Sequence, residues 1–204
     1  MQNRFNDFLE HKIHSLLYNV IYLYEGIAKK FQRKEKIVMI YWTLFQHKDW
    51  QFILAATEQG LCFTGSEGRD EHELFEWASK RRKGERLERN EEKMKSYIKQ
   101  FQEYFDDERV SFQLPIDLKG TDFQQQVWQV LREIPFGKIQ CYSDIALAIN
   151  NPKAVRAVGT AIGANPVMIV VPCHRVIGKD GSLTGFRGGL SMKQRLLQLE
   201  GKKS

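Results

Sequence analysis

The chain has 204 residues, of which 42% are hydrophobic, 27% are charged and 12% are aromatic, and its formal net charge is +6. This length allows one or two domains, and the hydrophobic fraction excludes a wholly disordered chain. No stretch approaches the ~20 consecutive apolar residues of a membrane-spanning helix, and the N-terminus lacks the pattern of a secretory signal. We therefore expect a cytoplasmic protein without a membrane partner.

The three cysteines, Cys62, Cys141 and Cys173, are widely spaced along the chain. An odd number with this spacing gives neither a disulfide framework nor a CxxC-type zinc site, and it suits a reducing compartment. A lone thiol in such a chain is most often a small buried side chain. We expect no metal and no cofactor, and a chemical role for any cysteine has to follow from its neighbours.

The positive charge is unevenly distributed. Residues 115–204 contain twelve basic and six acidic residues, whereas residues 1–114 contain nineteen of each. An excess of positive charge favours a polyanionic partner, because basic side chains neutralise phosphates and release counterions. A solubility charge that is unevenly spread gives the same count, so charge alone leaves both interpretations open.

The first 36 residues repeat apolar side chains at helical spacing and end in a basic cluster, Lys29–Lys36. This pattern predicts one or two amphipathic helices, an N-terminal helical extension of unknown role. Packing against the next domain is the commonest use of such a helix, and a surface for a partner or a membrane is the alternative. Met39 is a second candidate start of the chain, and we expect the extension to be dispensable for the chemistry described below.

Residues 37–115 predict a small α+β domain. The β-branched and aromatic runs Ile37–Phe45 and Trp50–Ala56 flank a short polar segment and predict a hairpin, with a third strand at Leu61–Thr64. Helices are predicted over Asp70–Lys80 and over Asn90–Phe105, with Asn90 as the cap of the second. The apolar face of that second helix consists of Met94, Tyr97, Ile98, Phe101 and Phe105.

The stretch between the two predicted helices, Lys80–Glu92, is rich in charged residues of both signs. We interpret it as a solvated linker, because a charge run of this kind usually lies in water. No catalytic constellation is recognisable in residues 37–115.

Residues 116–204 predict a mainly helical domain. A capping box, Thr121 to Gln124, opens its first helix, and Pro135 ends it. Ser143 is predicted to cap a short helix, Asp144–Ile149, and Lys153–Ile162 follows after a tight turn with Pro152 at its start. This is the helix-turn-helix pattern, and two core helices joined by a turn are the alternative.

The chemistry is concentrated in Pro172-Cys173-His174-Arg175, which follows the apolar run Val167–Val171. That run is too short for a helix and predicts a buried strand or extended segment. A cysteine beside a histidine and an arginine is expected to have a lowered thiol pKa, since nearby cations favour the nucleophilic thiolate. Neighbouring side chains of an extended backbone point to opposite faces, so His174 then reaches Cys173 only through a kink or a bridging water. Glu200, near the end of the last predicted helix, Leu190–Glu200, is the candidate to orient His174.

Extended by Val176, the motif resembles the acceptor motif of the methylated-DNA–protein-cysteine methyltransferases, also called O6-alkylguanine-DNA alkyltransferases. The segments that occur in that family's order and spacing are Phe123-Gln124, Val127-Trp128, Ile134–Gly137, Tyr142, Pro152–Gly159, Asn165-Pro166, Gly185 and Gly188-Gly189. The resemblance covers residues 110–201, is looser over 37–109 and does not extend to 1–36. It implies a ribonuclease H-like sheet-and-helix domain (37–115) followed by a mainly helical, winged-helix-like domain with a helix-turn-helix (116–204).

The resemblance implies an irreversible, single-turnover DNA repair reaction without a cofactor. Cys173 accepts the alkyl group of an O6-alkylguanine flipped out of double-stranded DNA, with O4-alkylthymine as a second candidate substrate. His174, oriented by Glu200, takes the thiol proton through a bound water. Asn165 braces the turn that carries the cysteine, and Tyr142 donates a hydrogen bond to guanine N3.

The resemblance also implies a monomeric protein and indicates how it holds the base and the DNA. The carbonyls of Cys173 and Val176 bind the exocyclic amine, the amide of Arg187 binds O6, and Phe186 and Gly188 complete the pocket. Phe186 departs from the family, whose members commonly carry Tyr at this position. The residues implied to contact DNA are Arg156, which fills the gap left by the flipped base, and Ala154, Ala157, Gly159, Thr160 and Arg175.

Four other functions are alternatives to this one, and each lacks a feature of the sequence or leaves one unexplained. A non-repairing alkyltransferase-like lesion-binding protein carries Trp at the position of Cys173. A Cys–His hydrolase needs an oxyanion hole and an acyl pocket, which the sequence does not offer. A combined repair protein and transcription activator needs a four-cysteine zinc cluster, and only Cys62 and Cys141 are available. A purely regulatory DNA-binding protein leaves Pro172–Val176 without an explanation.

Overall fold

The computed structural model describes residues 37–201. The helices expected within residues 1–36 lie outside this range and stay a prediction. Within it, strands β1 to β6 are Met39–His47, Trp50–Thr57, Gly60–Thr64, Arg86–Arg89, Gln140–Cys141 and Val176–Ile177. Helices α1 to α6 are Glu71–Arg81, Glu91–Phe105, Asp122–Arg132, Tyr142–Ala148, Val155–Gly163 and Gly189–Gly201. None of these helices combines the length and the apolar character needed to cross a bilayer.

A four-stranded sheet of order β3-β2-β1-β4 organises residues 37–115. The predicted hairpin and third strand are confirmed, with β2 antiparallel to both β1 and β3. Successive side chains alternate between the two faces of the sheet, so each face has its own apolar set. Phe52 and Leu54 pack with α2, whereas Ile53 and Ala55 pack with α1. The two predicted helices therefore cover opposite faces of the sheet.

The prediction of a solvated linker between α1 and α2 is wrong. This stretch contains β4, which pairs in parallel with β1. It also contains Arg82, whose buried side chain donates to Asp117 at 2.8 Å. β4 lies at the edge of the sheet, where charged side chains remain in water. Its sequence is therefore as rich in charged residues as that of a solvent-exposed linker.

In the C-terminal part, the capping box of α3 and the helix-turn-helix formed by α4 and α5 are confirmed. Two helix starts differ from the prediction. α4 begins at Tyr142, because the Asp144 carboxylate accepts the backbone N–H of Cys141 at 2.8 Å, so Ser143 lies inside the helix. α5 begins at Val155, because the amide of Ala154 bonds to the carbonyl of Asn151 and leaves Pro152 in the turn.

One apolar cluster joins the sheet to the helices of the C-terminal part. Phe52 and Phe101 belong to the same buried cluster as Trp128, Val158 and Leu196. The described residues from Val38 onward form one compact unit. The division into domains at residue 115 stays a prediction, and the contacts across it position several of the side chains described next.

Candidate active site

The segment that carries the cysteine is a buried turn. Residues 168–171 turn tightly, with Ile169 at a φ of +76°, and Cys173–Arg175 form one 3-10 turn. The Asn165 side chain closes this arrangement, accepting the Val167 N–H at 2.9 Å and donating to the Val171 carbonyl at 2.9 Å. The burial predicted for Val167–Val171 is confirmed except at Val170, which is partly buried, but the predicted extended conformation is wrong.

Cys173 is buried, with 2% of its surface exposed, and its Sγ lies 3.1 Å from Nδ2 of Asn165. Burial raises the pKa of the Cys173 thiol, although the Asn165 hydrogen bond and the charges of Arg187 and Lys193 act to lower it. The expectation of a lowered pKa is therefore wrong, because desolvation outweighs the favourable groups. The resting side chain is a neutral thiol that needs a base to become a nucleophile.

His174 is fully buried, and its Nε2 lies 2.8 Å from Oε1 of Glu200. A carboxylate only accepts hydrogen bonds, so Nε2 carries the hydrogen and Nδ1 keeps its lone pair. Nδ1 is buried and has no hydrogen-bond partner among the described protein atoms. Burial lowers the pKa of His174 despite the opposing effect of Glu200, which keeps the imidazole neutral. A neutral imidazole with an available ring nitrogen can take a proton.

Glu200 is ionised in this environment. Burial acts to raise its pKa, but the hydrogen bonds from His174 and Arg175 outweigh burial and hold the pKa well below its usual range. Arg175 donates to both carboxylate oxygens, from Nε to Oε2 at 2.9 Å and from Nη2 to Oε1 at 2.8 Å. The negative charge on Glu200 is therefore neutralised by the guanidinium of Arg175.

The assignment of Arg175 to DNA binding is wrong. Its side chain is buried. Besides the bonds to Glu200, its Nη1 donates to the backbone carbonyl of Ile134. A guanidinium held in this way has no exposed face for a phosphate. Its observed contacts fix Glu200 instead.

A cleft of about 540 Å³ lies between α5 and the loop that precedes α6. Its lining contains Tyr142, Arg156, Gly159, Thr160, Gly163, Thr184, Gly185, Phe186 and Arg187. The structure therefore brings together residues that the sequence assigned to base recognition and to DNA contact. Cys173 is not among the residues that line this cleft.

The residues of α5 divide by exposure. Arg156, Ala157 and Thr160 are exposed, Gly159 is half-buried against the Tyr142 ring, and Ala154 is the cap of the helix. The Tyr142 hydroxyl donates to the Thr184 carbonyl at 2.9 Å. Tyr142 therefore has to exchange this bond before it can donate to a base.

The side chain of Arg187 leaves the cleft and crosses to the N-terminal part. Its Nη1 donates to Glu73 of α1 at 2.7 Å, and its Nη2 donates to the carbonyl of Thr64 at the end of β3. The guanidinium also lies 4.9 Å from the centre of the Phe63 ring. The sequence assigned only the amide of Arg187, and this side-chain link was not predicted.

Lys193 is a second residue that the sequence did not single out. Its side chain is buried, and Nζ donates to the Val176 carbonyl at 2.6 Å and to the Thr184 carbonyl at 2.8 Å. Lys193 thus ties the carbonyl assigned to the guanine amine to one edge of the cleft. A lysine one helical turn before Leu196 on the inward face of α6 is the signal that sequence reasoning overlooked.

Gly188, assigned to the base pocket, has no room for a side chain. A Cβ at this position would lie 2.4 Å from Sδ of Met192 and 2.8 Å from the Phe186 ring. Its role in the structure is to let the loop pass close to both side chains. Within residues 37–201, no group of three His, Cys, Asp or Glu side chains is placed to hold a metal ion.

Two sequence profiles of one family match nearly all of the described chain. Residues 40–118 match the ribonuclease-like domain of 6-O-methylguanine DNA methyltransferase, and residues 122–202 match its DNA binding domain. The chain belongs to the 6-O-methylguanine DNA methyltransferase family. The resemblance inferred from Pro172–Val176 is thereby confirmed.

Individual members of the family resemble the chain over most of their length. The inducible methylated-DNA–protein-cysteine methyltransferase of Bacillus subtilis is 53% identical over 79% of this chain and 90% of its own. The methylated-DNA–protein-cysteine methyltransferase of Methanosarcina acetivorans is 40% identical over 79% of this chain and 99% of its own. The crystal structure of Mycobacterium tuberculosis OGT in complex with DNA superposes with a TM-score of 0.68 and 34% identity, covering 80% of this chain and 94% of the other.

Proposed function

We propose that this methyltransferase-family protein repairs DNA by moving the alkyl group of O6-alkylguanine irreversibly onto its own Cys173, once per molecule. The observation that carries the proposal is a buried thiol bonded to Asn165 and followed directly by a neutral His174 on an ionised Glu200. The names of the relatives and the DNA complex of a related structure support the same activity. A DNA substrate and three free cysteines fit a protein of the cytoplasm.

The proton moves before or as the new bond forms. A water bridges Cys173 to Nδ1 of His174, the buried atom without a protein partner, and carries the thiol proton to it. Glu200 stabilises the imidazolium that results. The sulfur then attacks the alkyl carbon, so that the S–C bond forms while the C–O6 bond breaks. Guanine leaves with the electron pair on O6 and takes up one proton in exchange.

The base has to leave the double helix to reach the thiol. α5 lies against the minor groove, where its small residues Ala157 and Gly159 allow a close approach. Arg156 enters the base stack and fills the gap, while Ala154 and Thr160 contact the backbone of the DNA.

The flipped guanine is held mainly by backbone groups and one aromatic ring. The carbonyls of Cys173 and Val176 accept from its exocyclic amine, and the amide of Arg187 donates to O6. Phe186 stacks on the base beside Gly188, and Tyr142 donates to N3 as O6 leaves. Lys193, bonded to the Val176 carbonyl, supports this acceptor from behind.

Intact-mass measurement after mixing the protein with an O6-methylguanine duplex tests the proposal. We expect the protein to gain the mass of one methyl group, with the adduct mapping to Cys173, and the duplex to lose its methyl group. Cys62→Ser is the matched control and should accept the methyl group as the wild type does. Repaired DNA together with an unmodified Cys173 would overturn the proposal.

A further inference from the structure

Glu200 accepts hydrogen bonds from four residues that lie in three separate parts of the chain. His174 and Arg175 donate from the 3-10 turn, and the amide of Gly137 donates to Oε2 at 3.2 Å. The fourth donor is the hydroxyl of Tyr104, which lies 2.6 Å from Oε1. Tyr104 stands in the last turn of α2, so it is the donor that the N-terminal part of the chain supplies.

The Tyr104 hydroxyl is fixed as a donor by its surroundings. Only 1% of the residue is exposed, and its ring packs against Phe105, Phe112 and Phe136 at centroid distances of 5.3, 5.1 and 6.0 Å. Burial raises the pKa of Tyr104 well above its usual value, so the hydroxyl keeps its proton. Breaking this bond would leave the buried hydroxyl without an acceptor, which costs free energy. The bond between the Tyr104 hydroxyl and Oε1 of Glu200 is therefore stable.

We infer that Tyr104 is a positioning residue for alkyl transfer, whose hydroxyl bond to Glu200 sets how readily His174 takes and releases a proton. This inference rests on the proposed function. Oε1 of Glu200 accepts from both Tyr104 and His174, so the two donors share one centre of negative charge. Because the Tyr104 hydroxyl also bonds to this carboxylate, the carboxylate of Glu200 stabilises the imidazolium form of His174 less strongly.

The other groups that face His174 make Glu200 decisive. The charges of Arg175 and Lys193 both oppose the imidazolium, and Glu200 is the group that favours it. Tyr104 weakens this single favourable interaction and thereby keeps His174 neutral, and able to act as a base, at a lower pH. Removing the hydroxyl should raise the pKa of His174, so that the imidazole becomes protonated and inactive at a higher pH than in the wild type.

Tyr104→Phe removes the hydroxyl and keeps the ring. We expect the acid limb of the pH profile for single-turnover methyl transfer to move upward by about half a unit, which lowers the rate at low pH about threefold and changes the rate at pH 8 much less. Tyr97→Phe is the matched control, because Tyr97 is a mostly buried tyrosine two turns earlier on α2 whose hydroxyl does not bond to Glu200. Its profile should coincide with that of the wild type.

A second variant keeps the hydrogen bond and guards against a folding defect. 3-Fluorotyrosine at position 104 is a stronger donor, so it should move the acid limb downward. The inference is overturned if the Tyr104→Phe and Tyr97→Phe profiles coincide, or if Tyr104→Phe lowers the rate equally at every pH. It is also overturned if the fluorinated protein shifts in the same direction as Tyr104→Phe.

Methyl iodide as the methyl donor, with mapping of the adduct to Cys173, separates this inference from the proposed function. A wild-type protein that takes no methyl group from DNA contradicts the proposed function alone. The methyl iodide profiles of the wild type and the three variants still decide whether Tyr104 controls the proton acceptor, because that reaction needs no base flipping and no guanine pocket.

Discussion

At the residue scale, Cys173, the cysteine proposed to react, differs from Cys62 in the side chains around its thiol, which counteract the effect of burial on its pKa. Burial raises the pKa of Cys62 to about 12, and its thiol bonds to a backbone carbonyl within the sheet. Cys173 is as deeply buried, but Asn165, Arg187 and Lys193 favour its thiolate. Because these two cysteines are almost equally buried, the proposed preference for Cys173 over Cys62 follows from their neighbouring side chains, which at Cys62 include the acidic Asp117 and Glu85.

Phe186 tests how much of base recognition depends on ring stacking. Its half-buried ring lines the cleft, at the position where the resemblance to the family leads us to expect Tyr. Stacking of a base on an aromatic ring contributes ~1–3 kcal/mol, whereas one neutral hydrogen bond contributes about 0.5–1.5 kcal/mol net. We expect Phe186→Tyr to change the single-turnover rate by less than about tenfold, equivalent to ~1.4 kcal/mol, and Phe186→Ala to cost clearly more. The reverse order of the two rates would mean that this ring does not form the wall of the base pocket.

Residues of the site are predictable from the sequence where a motif contains them or where they contact residues nearby in the sequence. Asn165 and Cys173 are eight positions apart and touch. Tyr104 and Glu200 are 96 positions apart, and nothing local marks their contact. Arg175 was misassigned for the same reason, since its burial depends on where α6 brings Glu200.

At the scale of elements, α5 separates its buried and exposed residues sharply. Val158, Ala161 and Ile162 are buried, while Arg156 and Thr160 face the cleft. The uneven charge noted in the sequence is less available than its count suggests, because Arg175, Arg187 and Lys193 are bonded inside the protein. Binding to DNA phosphates therefore falls to the remaining basic residues of the C-terminal part.

Arg156 should act in base flipping. Its side chain is exposed and makes no salt bridge with any other residue between 37 and 201. Unstacking a base costs a few kcal/mol, so we expect Arg156→Ala to slow transfer from a duplex by about tenfold or more and to spare transfer from free O6-methylguanine. Lys153→Ala, on the exposed turn before α5, is the control and should weaken duplex binding and its salt dependence without a specific loss in rate. Equal slowing of both substrates by Arg156→Ala would contradict the assignment.

The types of the elements were predictable because hydrophobic periodicity and caps are local signals. β4 was missed because its four residues, Arg86 to Arg89, carry no strand pattern of their own and gain their structure from pairing with β1. The start of α4 was misplaced because two polar residues, Ser143 and Asp144, compete for the cap, and Asp144 reaches the free amide.

At the scale of the whole molecule, several contacts join the N-terminal part to the site, and three of them show how it does so. Tyr104 bonds to Glu200, Glu73 bonds to Arg187, and Trp50 lies under the guanidinium of Arg195 at 4.0 Å. All three contacts end on α6 or on the loop that precedes it. The N-terminal part therefore supports the residues that we propose to form the base pocket and the proton acceptor.

The pair of Glu73 and Arg187 tests this support. Glu73→Gln keeps the shape of the side chain and removes the charge opposite a guanidinium that also bonds to backbone carbonyls. Hydrogen bonds to charged groups contribute ~1.5–3 kcal/mol, and because both side chains are about a quarter exposed we expect a loss of about 1–2 kcal/mol in the free energy of unfolding in urea. A double-mutant cycle with Arg187→Gln should give a coupling free energy of about 1 kcal/mol. Glu76→Gln, which alters an exposed pair with Lys80 on the same helix, is the control and should change neither stability nor rate.

The same variant predicts a pattern of rates that differs from the pattern expected for Arg156. Arg187 belongs to the loop that we propose to hold O6, and Glu73 is bonded to this loop in the absence of DNA. Loosening it should therefore slow transfer from the duplex and from free O6-methylguanine by the same factor, since both substrates use the pocket. Single-turnover rates with the two substrates measure this directly. Unchanged stability and unchanged rates would show that the N-terminal part does not support the pocket, and a loss confined to the duplex would mean that Glu73 acts on DNA binding instead.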